Sequence, residues 1–208
     1  MTIVAISDTH GQHHNLTLPQ GDVLIHAGDC TYRGTESEVK DFLDWFSSQD
    51  YQYKILIAGN HDFFFERADP LKIKSVIPEN VTYLNDSGIS IEGLNFWGSP
   101  ITPWFFDWAF NRHRGSEIKT HWDLIPENTD ILITHGPVHG ILDKTIYGKK
   151  VGCEALCDKI TEIRPKAHIF GHIHEAYGQL FRQDTLFVNA SILDVRYKLI
   201  NKPVMFNL

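Results

Sequence analysis

The sequence predicts an α/β fold with at least part of its sheet parallel, and three observations carry that expectation. Five short apolar runs each break at a turn carrying His, Asp or Asn. Between Val23 and Ala58 the pattern runs strand, helix, strand, and such a crossover places its two strands parallel. The last thirty residues instead read as an antiparallel hairpin with one further strand.

The first run, Thr2 to Ser7, is β-rich and breaks at Asp8-Thr9-His10-Gly11. The second, Val23 to Ala27, stops at Gly28-Asp29, where glycine permits a sharp turn. Thr35 and Glu38 have capping-box spacing, and Val39, Phe42, Leu43 and Phe46 follow at helical intervals, which predicts a helix over 36–48. Tyr53 to Ala58 is the third strand, closed by Gly59-Asn60-His61-Asp62. Asp69-Pro70 opens a short helix to about Val76, with proline at its first position. Val81–Leu84, Gly88–Ile91 and Asn95–Trp97 read as shorter strands, the last two joined across Glu92-Gly93.

From Gly98 to Pro126 the periodicity gives way to Pro and aromatics: Trp104, Phe105, Phe106, Trp108, Phe110 and Trp122. A satellite core is the preferred reading. The other is a pocket wall, with Arg112 and Arg114 facing an anion. Ile131 to Thr134 then delivers His135, and a helix from about Cys153 to Ile163 ends before Pro165. Ala167 to Phe170 delivers Gly171-His172-Ile173-His174. A hairpin, Gln179–Arg182 with Thr185–Asn189, and a strand near Val204–Phe206 complete the chain. No repeat, low-complexity tract or linker appears, so residues 1–208 are expected to form a single domain.

Composition bounds the function. The formal net charge is −7, from 19 basic and 26 acidic side chains, which disfavours binding to long nucleic acids. A small phosphate ester held through cations stays compatible with that balance. Cys30, Cys153 and Cys157 form neither a disulfide framework nor a metal-finger pattern and read as buried apolar fillers. No stretch approaches the ~18–20 apolar residues that span a bilayer. The run Ile3 to Ile6 is too short for a signal peptide, so a cytoplasmic protein with no membrane partner is expected.

In open α/β sheets, sites form beyond the carboxyl ends of the strands. The five turns would therefore converge Asp8, Asp29 and Asn60 with His10, His61, His135, His172 and His174. Such oxygen and imidazole donors suit Mn, Fe, Zn, Co or Ni, and the set exceeds the four or so donors one ion uses. Two ions are expected, with Asp29 the candidate bridge. His26 lies within a strand; His13, His14, His113, His121 and His168 fit surface or structural roles. His139 stays a weaker candidate beside His135.

The order Asp-x-His, Gly-Asp, Gly-Asn-His-Asp, His, Gly-His-x-His resembles the calcineurin-like metallophosphoesterase superfamily. Trp97-Gly98-Ser99-Pro100, the 108–115 segment, His135-Gly136-Pro137 with Gly140-Ile141-Leu142-Asp143, and Asn189-Ala190-Ser191 are similar to its metallophosphoesterase-domain-containing branch. The resemblance implies a sandwich of two mixed β-sheets flanked by helices. It also implies one metal on Asp8, His10, Asp29 and His174, and a second on Asp29, Asn60, His135 and His172. Some animal relatives have glycine at the His172 position and are weak enzymes; this chain keeps histidine. Val138-His139 departs from the branch pattern.

The same resemblance implies a phosphodiesterase on small, especially 2′,3′-cyclic, nucleotides, with two divalent ions (Mn²⁺ foremost) sharing a hydroxide that attacks phosphorus. His61 is then the catalytic imidazole that stabilises the phosphoryl transition state or protonates the leaving oxygen, and Asp62 the carboxylate that fixes its tautomer or raises its basicity. Asn60, His61 and Arg112 are the expected substrate-binding residues. A phosphomonoesterase or phosphoprotein phosphatase would use the same core. A non-catalytic scaffold is the alternative from another class, and such proteins tend to lose ligands that this chain retains. No His-x-His-x-Asp-His run supports a metallo-β-lactamase-type hydrolase.

Overall fold

Strands that are apolar along their whole length need cover on both faces, and this chain supplies it with two stacked sheets and outer helices. The computed structural model describes residues 1–208. One sheet contains β1 (Thr2–Ile6), β2 (Val23–Ala27), β3 (Tyr53–Ile57) and β4 (Thr82–Tyr83), all parallel. The last strand, β13 (Val204–Asn207), pairs antiparallel outside β1.

The second sheet contains β5 (Ser87–Ile91), β6 (Leu94–Ser99), β9 (Ile131–Thr134), β10 (Ala167–Phe170), β11 (Gly178–Arg182) and β12 (Thr185–Asn189), in the order β11-β12-β10-β9-β6-β5. Its four central strands run parallel and its two edges antiparallel. The chain therefore forms two mixed sheets, as the resemblance implies. A two-residue pair, β7 (Thr102–Pro103) with β8 (Asn111–Arg112), lies in the aromatic segment.

Strand alternation explains the layers. Ile3, Ala5, Val23, Ile25, Ile55 and Ile57 of the first sheet pack with Phe96, Ile131, Ile133, Ile169 and Val188 of the second in one buried cluster. The intervening Val4, Ile6, Leu24 and Leu56 pack with Val39, Phe42, Leu43 and Phe46 of helix α1 (Glu36–Ser48). Thr35 and Glu38 close the expected capping box on α1.

Two short helices follow β3: α2 (Phe63–Arg67) and α3 (Pro70–Val76), the latter capped by Asp69. Helix α4 (Ser116–Trp122) and α5 (Glu154–Ile163) add Ile118, Trp122, Leu156 and Ile160 to the larger cluster. Neither α2 nor α4 is visible as a periodic segment, because each spans under two and a half turns. No helix is long and apolar enough to cross a membrane.

Candidate metal centre

The carboxyl ends of β1, β2, β3, β9 and β10 carry all seven expected ligands, and the structure gathers six of them, together with His61, into three overlapping groups. These are Asp8, His10 and His174; His10, Asp29 and His61; and Asp29, His135 and His172, each with donor atoms within 4.8 Å of one another. Asp29 Oδ2 stands between the halves, 3.7 Å from His10 Nε2 and 3.3 Å from His135 Nε2. His174 Nε2 lies 3.4 Å from Asp8 Oδ1, and Asn60 Oδ1 lies 2.9 Å from His135 Nε2. Of these six donor residues, all but His174 are buried.

Short polar turns between long apolar strands make this convergence possible, and they do so under backbone constraint. Asp8, His10, Asp29 and His172 all have left-handed φ values, of 55°, 42°, 56° and 69°. Such a residue costs of order 1–3 kcal/mol unless its surroundings hold it. Here ladder-like bonds hold the turns: Asp8 N–H donates to Gly28 O and His10 N–H to Asp29 O, at 2.9 and 3.1 Å. The His172 N–H donates to the Asp8 carboxylate at 3.0 Å. The turns also need glycine for close approach. A Cβ on Gly59 would overlap Asp29 and His135, and one on Gly171 would overlap Asp8 and Ser7.

Backbone carbonyls select the ring nitrogen each histidine presents. Nδ1 of His10 bonds Thr31 O at 3.1 Å, that of His135 bonds Ala27 O at 2.9 Å, and that of His174 bonds Asp194 O at 3.0 Å. A carbonyl only accepts, so each Nδ1 carries the proton and each Nε2 faces the cluster. His61 follows the same rule, its Nδ1 donating to Tyr32 O at 2.9 Å.

These donors fit divalent ions. His10 Nε2 is buried and has no hydrogen-bond partner, an arrangement proteins otherwise avoid. Separations of 3.3–3.7 Å between donors match the ~3.3 Å edge of a tetrahedron with ~2.0–2.1 Å bonds. Protons meanwhile offset the buried carboxylates. Burial alone would lower His135 and His174, but Asp29 beside the first and Asp8 beside the second raise both to about 9. Burial alone would raise Asp8 and Asp29; their histidine partners outweigh it and hold both well below the carboxylate range. Burial dominates at His10 and His172, pushed down to about 4 and about 3 and so neutral donors.

Two expectations need correction. Asp62 does not touch the His61 ring. Its fully buried carboxylate accepts from Gly59 N, Thr31 N and Thr31 Oγ1 at 2.8, 2.9 and 2.7 Å, and from Cys30 N at 3.2 Å. It thus ties the turn after β2 to the turn after β3, beneath Asp29. Arg112 does not face the cluster either: its guanidinium donates to Asn111 O at 2.8 Å and lies 3.8 Å from Glu66. Arg114 is likewise taken, by Glu154 and the carbonyls of Val151 and Gly152. His139 lies 3.8 Å from Asp143 and from Glu154, away from the seven.

The aromatic segment divides between the two expected roles. Phe110 and Trp122 are buried core, whereas Trp108 stacks on His61 with ring centroids 4.3 Å apart, and Phe105 lies edge-on to His172 at 5.0 Å. Tyr32 and Tyr197 complete an open aromatic rim beside His10. Sequence reasoning assigned no role to Ser191, whose hydroxyl donates to Asp8 Oδ2 at 2.7 Å. Its only signal was the Asn189-Ala190-Ser191 stretch following β12.

A family model described as calcineurin-like phosphoesterase matches residues 1–176. The chain belongs to that family. It is 42% identical to metallophosphoesterase domain-containing protein 1 of Homo sapiens, across 99% of this chain and 70% of that protein. A UPF0046 protein of Caenorhabditis elegans is 38% identical across 99% and 74%. Among solved structures, phosphopantetheinyl hydrolase from Mycobacterium tuberculosis shares the fold with a TM-score of 0.66 and 16% identity, over 94% of this chain and 90% of that one. The Plasmodium anchor protein GAP50 does so with a TM-score of 0.50 and 8% identity, over 92% and 71%. Family membership makes the chain a metal-dependent phosphoester hydrolase.

Proposed function

We propose that the chain is a two-metal phosphodiesterase acting on small nucleotides, 2′,3′-cyclic nucleotides foremost. One observation carries the dinuclear part: Asp29 Oδ2 faces imidazoles from both halves of the cluster, His10 and His135. Asp8, His10, Asp29 and His174 would hold one divalent ion, and Asp29, Asn60, His135 and His172 the other. Manganese is the first candidate among Mn, Fe, Zn, Co and Ni, because the set mixes hard oxygen with imidazole donors. When bound, the pair supplies Lewis acidity and lowers the pKa of the attacking water.

The chain's own residues provide orientation and a proton. The His61 N–H donates to Asp29 Oδ1 at 2.7 Å, which fixes the carboxylate with Oδ2 toward both halves. His61 presents Nε2 because Tyr32 O holds Nδ1, and Trp108 stacks on the ring. From there Nε2 can stabilise the phosphoryl oxygens or pass a proton to the leaving oxygen, a role worth typically ~10²–10⁴-fold. Asn60 would bind a phosphate oxygen through its amide. The rim of Tyr32, Trp108 and Tyr197 offers stacking faces for a base, which favours a nucleotide over a simple phosphate.

Side-by-side rates on bis(p-nitrophenyl) phosphate, p-nitrophenyl phosphate, and 2′,3′- and 3′,5′-cyclic nucleotides test the reading. Faster turnover of diesters, led by 2′,3′-cyclic nucleotides, is expected. A preference for monoesters would replace it with a phosphomonoesterase on the same core.

A further inference from the structure

We propose that His13, His14 and Asp41 form a separate mononuclear cation site, suited to Zn²⁺, that clips the turn after β1 onto helix α1. His13 and His14 sit side by side in a 3₁₀ turn, ring centroids 4.3 Å apart, and Asp41 projects from α1 between them. Asp41 Oδ2 lies 3.2 Å from His13 Nε2 and Oδ1 lies 3.1 Å from His14 Nε2, with all three ligand positions within 4.8 Å of one another. These spacings again match the ~3.3 Å edge of a tetrahedral zinc site.

A second, independent observation points to a ligand. His13 is completely buried, yet neither of its ring nitrogens has a hydrogen-bond partner; the Asp41 oxygen lies near Nε2 but off the direction of an N–H bond. Native proteins rarely leave a buried imidazole without a partner at either nitrogen. Phe42 and Trp45 pack edge-on and tilted against the ring, at 5.3 and 5.2 Å, and keep it aimed at Asp41.

The protonation states suit coordination. Burial pushes His13 down to about 4, with His14 adding to the effect, so its imidazole is neutral and free to ligate at neutral pH. The hydrogen bond from His14 holds Asp41 below the carboxylate range. Two imidazoles and one carboxylate leave a fourth position for water, since His14 and Asp41 are both more than half exposed. The clip would anchor the segment that begins three residues after His10.

Zinc counting on the whole chain tests this. Protein stripped with a chelator is dialysed against buffered free Zn²⁺, and bound zinc per chain is measured by plasma mass spectrometry. Wild type is expected to hold one zinc more than either Asp41→Asn or His14→Gln. Both side chains are exposed, so both variants should keep the wild-type diesterase rate within about twofold. The difference of one is independent of how many ions the main centre holds. Equal zinc in wild type and both variants overturns the proposal. Ni²⁺ added to the chelator-stripped protein gives a second readout. It should quench the share of fluorescence that Trp45→Phe removes, and quenching that survives Asp41→Asn would also overturn the site.

Discussion

Replacing His168 by glutamine should exchange acid sensitivity for a modest loss of stability at neutral pH. His168 is fully buried on β10, with Nε2 2.8 Å from Thr134 Oγ1. That hydroxyl donates its own proton to Gly136 O at 2.7 Å, so it accepts from His168 and Nε2 carries the ring proton. Nδ1 is bare and has no partner, and burial pushes the ring down to about 3. The unfolded chain binds a proton near pH 6.5, where the folded chain does not. Stability is therefore complete above about pH 6.5 and falls by about 1.4 kcal/mol per pH unit as the solution is acidified toward pH 3.

Glutamine keeps an N–H for Thr134 and cannot take the extra proton. Its smaller volume and unpaired oxygen should cost about 1–2 kcal/mol at pH 7.5. Wild type loses that much between pH 6.5 and roughly pH 5–5.8, so the two stability curves should cross in that interval. Urea unfolding at pH 7.5, 6 and 5, with chelator throughout to remove metal-linked protons, measures both curves. Curves that stay parallel would refute the argument, because His168 would then titrate alike in folded and unfolded chains.

Three further outcomes concern the centre itself. Asp29→Asn should lose bound metal and turnover together, whereas His61→Gln should keep its metal and lose ~10²–10⁴-fold in rate; metal analysis beside kcat separates them. Ser191→Ala removes the hydroxyl that holds Asp8 Oδ2 and should weaken metal binding about 10–100-fold, read by competition with a chromophoric chelator. Because His135 and His174 titrate near 9, metal uptake at pH 7.5 should release close to two protons per chain. Calorimetry in buffers of different ionisation enthalpy reports that number, which should decline above pH 9. The same two rings stabilise the metal-free fold below pH 6.5, a contribution lost as pH rises through about 9.

Much of this was legible because each signal was local. Apolar runs such as Ile131 to Thr134 mark strands, and a turn at each end carries its ligand. The capping box at Thr35 and Glu38 fixes where α1 starts. What escaped depends on contacts between distant segments. Asp62 adjoins His61 in sequence, yet its carboxylate points back under the turn after β2, because four donors of Cys30 and Thr31 await it there. Arg112 meets Glu66 from α2, a helix too short to show a period. Ser191 reaches Asp8 across 183 residues, and its Asn189-Ala190-Ser191 stretch names no partner for the hydroxyl.

The left-handed backbone at Asp8, His10, Asp29 and His172 limits how this protein can change. Aspartate, asparagine and histidine tolerate that conformation better than other side chains, and they are also the residues that ligate metals. At these four places the alphabet open to drift is set by chain geometry before coordination chemistry applies. A library that seeks a new metal preference should therefore sample Asn, Asp, His and Gly there, and seek longer or branched ligands at Asn60 or His135, where the backbone is ordinary.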